Sequence, residues 1–138
     1  MTRHQRVKML LRAAWVMAIV IVIVGSLLPA TSIPIEALGT LGINDKVEHL
    51  LAYAVLAFLP ALHERWRFVL AAAVGAAALG VALEFGQLYS GWRDFEIGDM
   101  VADTAGVCCG VAAAALLRPT AVVRSVLGMK FAGSPPGD

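Results

Sequence analysis

His49, Glu84 and Asp103 each stand within an otherwise apolar run, and each can accept, release or share a proton. If those runs lie in lipid, an ionisable group there costs about 2.5–3.5 kcal/mol on insertion scales and implies a function with a named partner. More polar side chains gather around these three. Asp45, His49 and Tyr53 fall at i, i+4 and i+8, one stripe of a helix, with Lys46 beside them. Glu84 shares its run with Gln87, Asp103 shares its run with Asp99, and Arg93 stands in the connector between the two. His49 could act as a general base. With Glu84, Asp99 and Asp103 it could also offer one nitrogen and several oxygens to a divalent ion. Arg93 suits phosphate or carboxylate, which a guanidinium grips through two hydrogen bonds. No HExxH motif is present, no nucleophile stands beside His49, and Ser90 has no evident activating partner, so no cofactor and no metal are assigned.

The bland reading of each residue stands beside the chemical one. Asp45 and Lys46 could only cap a helix, Tyr53 could only pack, and Arg93 with Asp94 could be a solvated pair worth little. His49, Glu84 and Asp103 could form a hydrogen-bond network that holds helices together without chemistry.

The elements that carry these residues follow from hydropathy. The chain has 138 residues, of which 59% are hydrophobic and only 15% charged, where a soluble domain carries about 25% charged residues. About 20 apolar residues cross a hydrocarbon core of roughly 30 Å, and four runs qualify or nearly so: 9–28, 46–62, 68–89 and 99–117. The expected fold is an all-α, four-helix transmembrane bundle occupying residues 1–118. Counting 1.5 Å per residue from the far end of each run puts His49 about 9 Å, Glu84 about 6 Å and Asp103 about 8 Å below one surface. Three ionisable groups on three helices therefore fall at one depth.

Charge orients the bundle. Arg3, Arg6, Lys8, Arg12, Arg65, Arg67, Arg118, Arg124 and Lys130 fall on one side, against Lys46 and Arg93 on the other. The basic side is cytoplasmic by the positive-inside rule, so both termini are expected in the cytoplasm. Among the acids only Glu64 and Asp138 lie there. The basic face reads as an anchor, and the acidic outer side as the place for chemistry. The basic start before the first run resembles a signal peptide, but the run exceeds the usual h-region of about 7–15 residues. Residues 119–138 suit a short cationic amphipathic segment on the inner leaflet with a disordered end. Cys108 and Cys109 read as small packing residues, and Trp15 and Trp66 as anchors or packing residues. A net charge of +1 gives no reason to expect nucleic acid.

The helix faces agree with the depths. Ala73, Ala76, Gly80, Glu84 and Gln87 form one stripe, small below and polar above. Asp99, Asp103, Gly106 and Gly110 form another, and Gly106 with Gly110 makes a GxxxG. Small residues let helices approach closely in lipid, so Gly80, Gly106 and Gly110 are expected at helix contacts.

These residues resemble the VanZ-like family of small bacterial membrane proteins. The likeness comprises Ser26-Leu27-Leu28-Pro29, then Asp45-Lys46-x-x-His49-x-x-x-Tyr53, then Glu84-x-x-Gln87 and Arg93, and finally Asp99-x-x-x-Asp103-x-x-Gly106-x-x-x-Gly110. The family usually places Asn where this chain has Asp103. The resemblance implies a plasma-membrane protein of the cell envelope, and the family's namesake is associated with low-level resistance to the glycopeptide teicoplanin.

Three functions stay open on the sequence. An outward-facing pocket could bind a lipid headgroup, a lipopeptide-type antibiotic or a lipid-linked envelope precursor, with membrane lipids or a glycopeptide as partners. A membrane-embedded enzyme, metal-assisted or not, could act on a lipid-linked substrate. A subunit of a lipid or proton-coupled transporter would need a homo-oligomer, since four spans are too few for a pathway.

Overall fold

The computed structural model of the chain describes residues 2–29, 44–91, 95–118 and 120. They form four helices: α1 (Arg3–Leu27), α2 (Asp45–His63), α3 (Trp66–Ser90) and α4 (Ile97–Leu117). Among the described residues there is no strand. The last three helices begin and end within two residues of the expected runs, while α1 begins six residues earlier, at Arg3. Helices α1, α3 and α4 are long and apolar enough to cross a membrane. Helix α2 is 19 residues long and opens on Asp45, Lys46 and Glu48, which dilute its apolar run. It takes its place in the bundle by packing against all three of the others. Arg93, Asp94 and all of the 119–138 tail except Thr120 lie outside the described residues.

Local chemistry explains where the helices start and stop. Thr2 accepts from the Gln5 amide while the Gln5 side chain returns the bond, a capping box that starts α1. Asn44, not Asp45 or Lys46, caps α2, accepting from the Lys46 amide at 2.9 Å. Asp45 and Glu48 then sit in the first turn, where carboxylates favour the helix dipole. Pro60 stands in the last turn of α2, and only Glu64 and Arg65 separate that helix from α3, which must run back alongside it. Gly91 ends α3 in the left-handed region at φ 76°, a conformation that glycine adopts without strain.

The closest contact in the bundle is between α2 and α4. A Cβ on Gly106 would strike the Leu50 carbonyl oxygen, and one on Gly110 would strike the Ala54 carbonyl oxygen. The GxxxG therefore brings backbone onto backbone, as small residues permit in lipid. Tyr53, Leu56, Ala57, Ala76 and Val107 form the main core, with Ala61, Val69 and Ala114 as a smaller one. Helix α1 is different. It has no buried residue, and it is held by the Trp15 indole N–H donating to the Leu56 carbonyl at 2.9 Å. Trp15 also meets Phe68 edge to face, with ring centroids 5.8 Å apart. It is thus a packing residue that spends its N–H on a partner helix. The outward faces carry exposed Ile21, Leu70, Val74, Val101 and Leu116, which suits a surface solvated by lipid. Cys108 and Cys109 lie on that exposed side. Their expected role in internal packing is not met, because the glycines and Val107 of α4 take the inward face instead.

Candidate functional site

The sequence stripes converge at the end of the bundle where α2 and α4 begin and α3 ends. His49 Nδ1 lies 2.9 Å from Asp103 Oδ1, joining α2 to α4. When Asp103 is ionised it only accepts, so Nδ1 donates, and a neutral ring then presents its lone pair at Nε2. That nitrogen is 3.8 Å from Asp99 Oδ2, one turn earlier on α4. Asp103 in turn packs against the bare face of Gly80 on α3, where a Cβ would strike its carboxylate. Gly80 thus admits a charge-bearing side chain, while Gly106 and Gly110 admit backbone.

Lys46 binds the same cluster from the rim. Its Nζ donates to Asp99 Oδ1 at 3.2 Å and also to Glu96. The Glu96 carboxyl is held below the usual carboxylate range chiefly by that hydrogen bond with Lys46. The Glu96 backbone N–H donates to Glu84 Oε2 at 3.1 Å, so Glu84 secures the start of α4 from the end of α3. Tyr53 is 1% exposed and near enough to Asp103 and Glu84 to feel their charge.

Burial grades the site from rim to floor. Lys46 and Glu96 are about half exposed at 48% and 51%, the His49 side chain is 12% exposed, and those of Asp99 and Asp103 are 6% and 2%. Exposure thus falls from Lys46 and Glu96 at the rim to buried Asp103, Glu84 and Tyr53 within the bundle.

Not every expected residue joins this cluster. Gln87 is buried, but its amide donates to the Ser26 carbonyl at 3.0 Å, so it fastens α3 to the end of α1. Ser90 donates to the Gln87 carbonyl of its own helix at 2.7 Å, an ordinary use of a hydroxyl near a C-terminus. Glu96 was legible only as one acid in the outer connector; its ties to Lys46 and Glu84 depend on the register of two helices, which no local pattern reveals. The candidate ion-binding set also shifts. Ligand atoms of Asp45, His49 and Asp99 lie within 4.8 Å of one another, whereas Glu84 and Asp103 are turned to other tasks. Asp103 holds His49 from behind, as carboxylates commonly orient metal-ligating imidazoles. Lys46 already supplies positive charge to Asp99, so an ion there would compete with it.

A helical bundle with lipid-suited faces and a cluster of buried acids, an imidazole and a rim amine at one end defines a small polytopic membrane protein. The family model described as VanZ/LLP1 matches residues 12–118, and the chain belongs to that family. No curated protein matches the chain. Nor does any solved structure.

Proposed function

We propose that this chain is a plasma-membrane envelope factor that holds the polar end of an amphiphile at the outer mouth of the bundle, with both termini in the cytoplasm. The carrying observation is the polar constellation itself: half-exposed Lys46, partly buried His49 and buried Glu84, Asp99 and Asp103, drawn from three helices, meet at one end. The amphiphile classes that fit are a lipid headgroup, a lipid-linked envelope precursor or a lipopeptide-type antibiotic. Lys46 at the rim supplies a cation for a phosphate or carboxylate. The acids and His49 supply acceptors for hydroxyls and amines, and the apolar outer faces of α3 and α4 leave room for the chain of such a molecule in lipid.

Single replacements His49→Gln, Asp99→Asn and Lys46→Gln test this in cells carrying the full chain. Loss of a glycopeptide-resistance phenotype at unchanged membrane abundance supports a binding role. Loss of abundance in step with phenotype assigns the cluster to bundle stability alone. Labelling of Ser90→Cys by an impermeant thiol reagent, in a background without Cys108 and Cys109, checks the orientation. Labelling only after the inner face is opened reverses it.

A second reading is favoured by one observation, the Asp45, His49 and Asp99 atoms within 4.8 Å of one another. In that reading the site holds a divalent ion that assists a reaction on a lipid-linked substrate. Metal analysis of the purified chain, before and after chelation, should find a stoichiometric ion lost in His49→Gln; finding none ends this reading.

A further inference from the structure

The opposite end of the bundle carries a second polar group. His63 Nδ1 lies 2.8 Å from the Leu59 carbonyl, and a carbonyl only accepts, so Nδ1 carries the hydrogen. In the neutral ring Nε2 is then a bare acceptor. It is buried without a hydrogen-bond partner, and the His63 side chain is 2% exposed. Glu64 Oε1 lies 3.2 Å from Nε2, an ion-pair distance without the alignment of a hydrogen bond. Two acceptors thus sit side by side. Arg12 completes the group by donating Nε to Glu64 Oε1 at 2.7 Å, and its side chain is 65% exposed.

These residues line a pocket of about 360 Å³ with Trp15, Val16 and Phe68. A second, apolar cavity of about 410 Å³ shares Trp15 and Phe68 as walls and continues along Ile19, Ala72, Ala76 and Leu79. Both volumes fall in the range of about 300–1,000 Å³ typical of small-ligand sites. From Phe68 to Leu79 the helix rises about 16 Å, half of a hydrocarbon core of about 30 Å and so the depth of one leaflet.

We infer that this slot between α1 and α3 is a binding site for one phosphatidylethanolamine molecule: its primary ammonium donates to His63 Nε2 and Glu64, its phosphate takes the η nitrogens of Arg12, and one acyl chain fills the apolar cavity. The order of charges decides the headgroup. Adjacent acceptors at His63 and Glu64 require a donor with several N–H groups, which a primary ammonium has and a choline lacks. The Arg12 cation beside them matches the phosphodiester. A phosphatidylglycerol head brings no cation to Glu64. The apolar face of a second copy of this chain would leave His63 Nε2 buried without a partner, at the cost such atoms carry.

The test is native mass spectrometry of the full, delipidated chain offered equal amounts of palmitoyl-oleoyl phosphatidylethanolamine, phosphatidylcholine and phosphatidylglycerol. One phosphatidylethanolamine per chain is expected, preferred at least about tenfold over the other two. Glu64→Gln and His63→Phe should each shrink that preference below about threefold. Gly75→Leu should remove the bound lipid altogether, since a Cβ at Gly75 meets nothing within 4 Å and the longer side chain grows into the cavity without moving the bundle. That variant also serves if His63→Phe fails to fold. Equal binding of phosphatidylcholine, preference for phosphatidylglycerol, lipid retained by Gly75→Leu, or a dimer that excludes lipid would each overturn the inference.

Discussion

The seam between α2 and α4 and the attachment of α1 are built on opposite plans. In the seam, Gly106 and Gly110 press α4 onto the Leu50 and Ala54 carbonyls, Lys46–Asp99 bridges the rim and His49–Asp103 bridges the buried part below it. Helix α1 buries no residue and hangs on Trp15–Leu56, Gln87–Ser26 and Arg12–Glu64 hydrogen bonds, with a cavity left beside it. In lipid, where apolar surface gains little by leaving the solvent, association depends on packing and interhelical hydrogen bonds. The seam has both. The α1 flank has mainly the second, which leaves space at the protein–lipid boundary.

Breaking the seam should therefore give the largest effect. Gly106→Ala places a methyl group against the Leu50 carbonyl, which cannot swing aside as a side chain could. Overpacking of that kind costs about 1–3 kcal/mol, and Gly106→Leu should prevent the bundle from forming. Gly75→Ala is the matched control on α3: its Cβ meets nothing within 4 Å, and replacing glycine in a helix with alanine gains about 0.5–1 kcal/mol. Unfolding in detergent with rising denaturant should move in opposite directions for the two alanine variants. If both moved alike, the backbone contact would carry no special weight.

Next in size is the buried tie between α2 and α4. Asp103→Leu leaves the His49 Nδ1–H without its acceptor in a nearly dry place, a loss of about 1–3 kcal/mol. Asp103→Asn keeps a carbonyl oxygen at that position and should recover most of the stability, in keeping with the Asn that the family usually carries there. The carboxylate would then matter for charge at the site rather than for the fold. Nitrogen NMR of His49 checks the mechanism, because Nδ1–H should persist in the Asn variant and be lost from fixed geometry in the Leu variant.

Much of the bundle was legible because lipid simplifies the code. Hydropathy and length alone mark helices close to the observed ones, and the positions of Gly80, Glu84, Asp103, Gly106 and Gly110 on inward stripes follow from the helical period. His49, Glu84 and Asp103 could be gathered by depth, since each helix is nearly a ruler. What depth cannot supply is azimuth and rank among partners. Gln87 shares the stripe of Glu84 yet turns to Ser26, because α1 rather than α2 lies against that flank. Glu96 escaped notice because a single acid before a helix is ordinary; only the fold puts Lys46 and Glu84 beside it. The basic end looked like a plain anchor for a similar reason. Lys and Arg counts register sign but not that Arg12, fifty-two positions away, meets Glu64 next to His63.

The α1 flank should respond more mildly. Trp15→Phe retains an aromatic ring against Phe68 but deletes the N–H donated to Leu56, for an expected loss of about 0.5–1.5 kcal/mol. Gln87→Met removes the tie at the other end of α1 with a similar loss. The two sites are far apart along α1, so their effects should add. A double variant much worse than the sum would mean that α1 detaches as a unit once either end is free.

The smallest effect, and the one that separates the two polar ends from their surroundings, is acid sensitivity. The Glu64 carboxyl is held below its usual value of 4.5 first by the Arg12 hydrogen bond, and Glu96 is lowered first by Lys46. A carboxyl lowered on folding adds stability that is fully present above the unfolded value and lost as pH falls through the folded one. The window is therefore below about pH 4.5, and stability should decline there, not rise. Arg12 is 65% exposed, and Lys46 and Glu96 are about half exposed, so solvent screening keeps both pairs weak. Glu64→Gln should flatten part of the decline and leave the remainder to Glu96, and Glu64→Gln with Glu96→Gln should flatten more. Thermal unfolding between pH 3 and 7 tests this directly. A decline centred well above pH 4.5 that survives both replacements would point instead to groups inside the bundle, and would move the origin of acid sensitivity from its exposed ends to the buried seam.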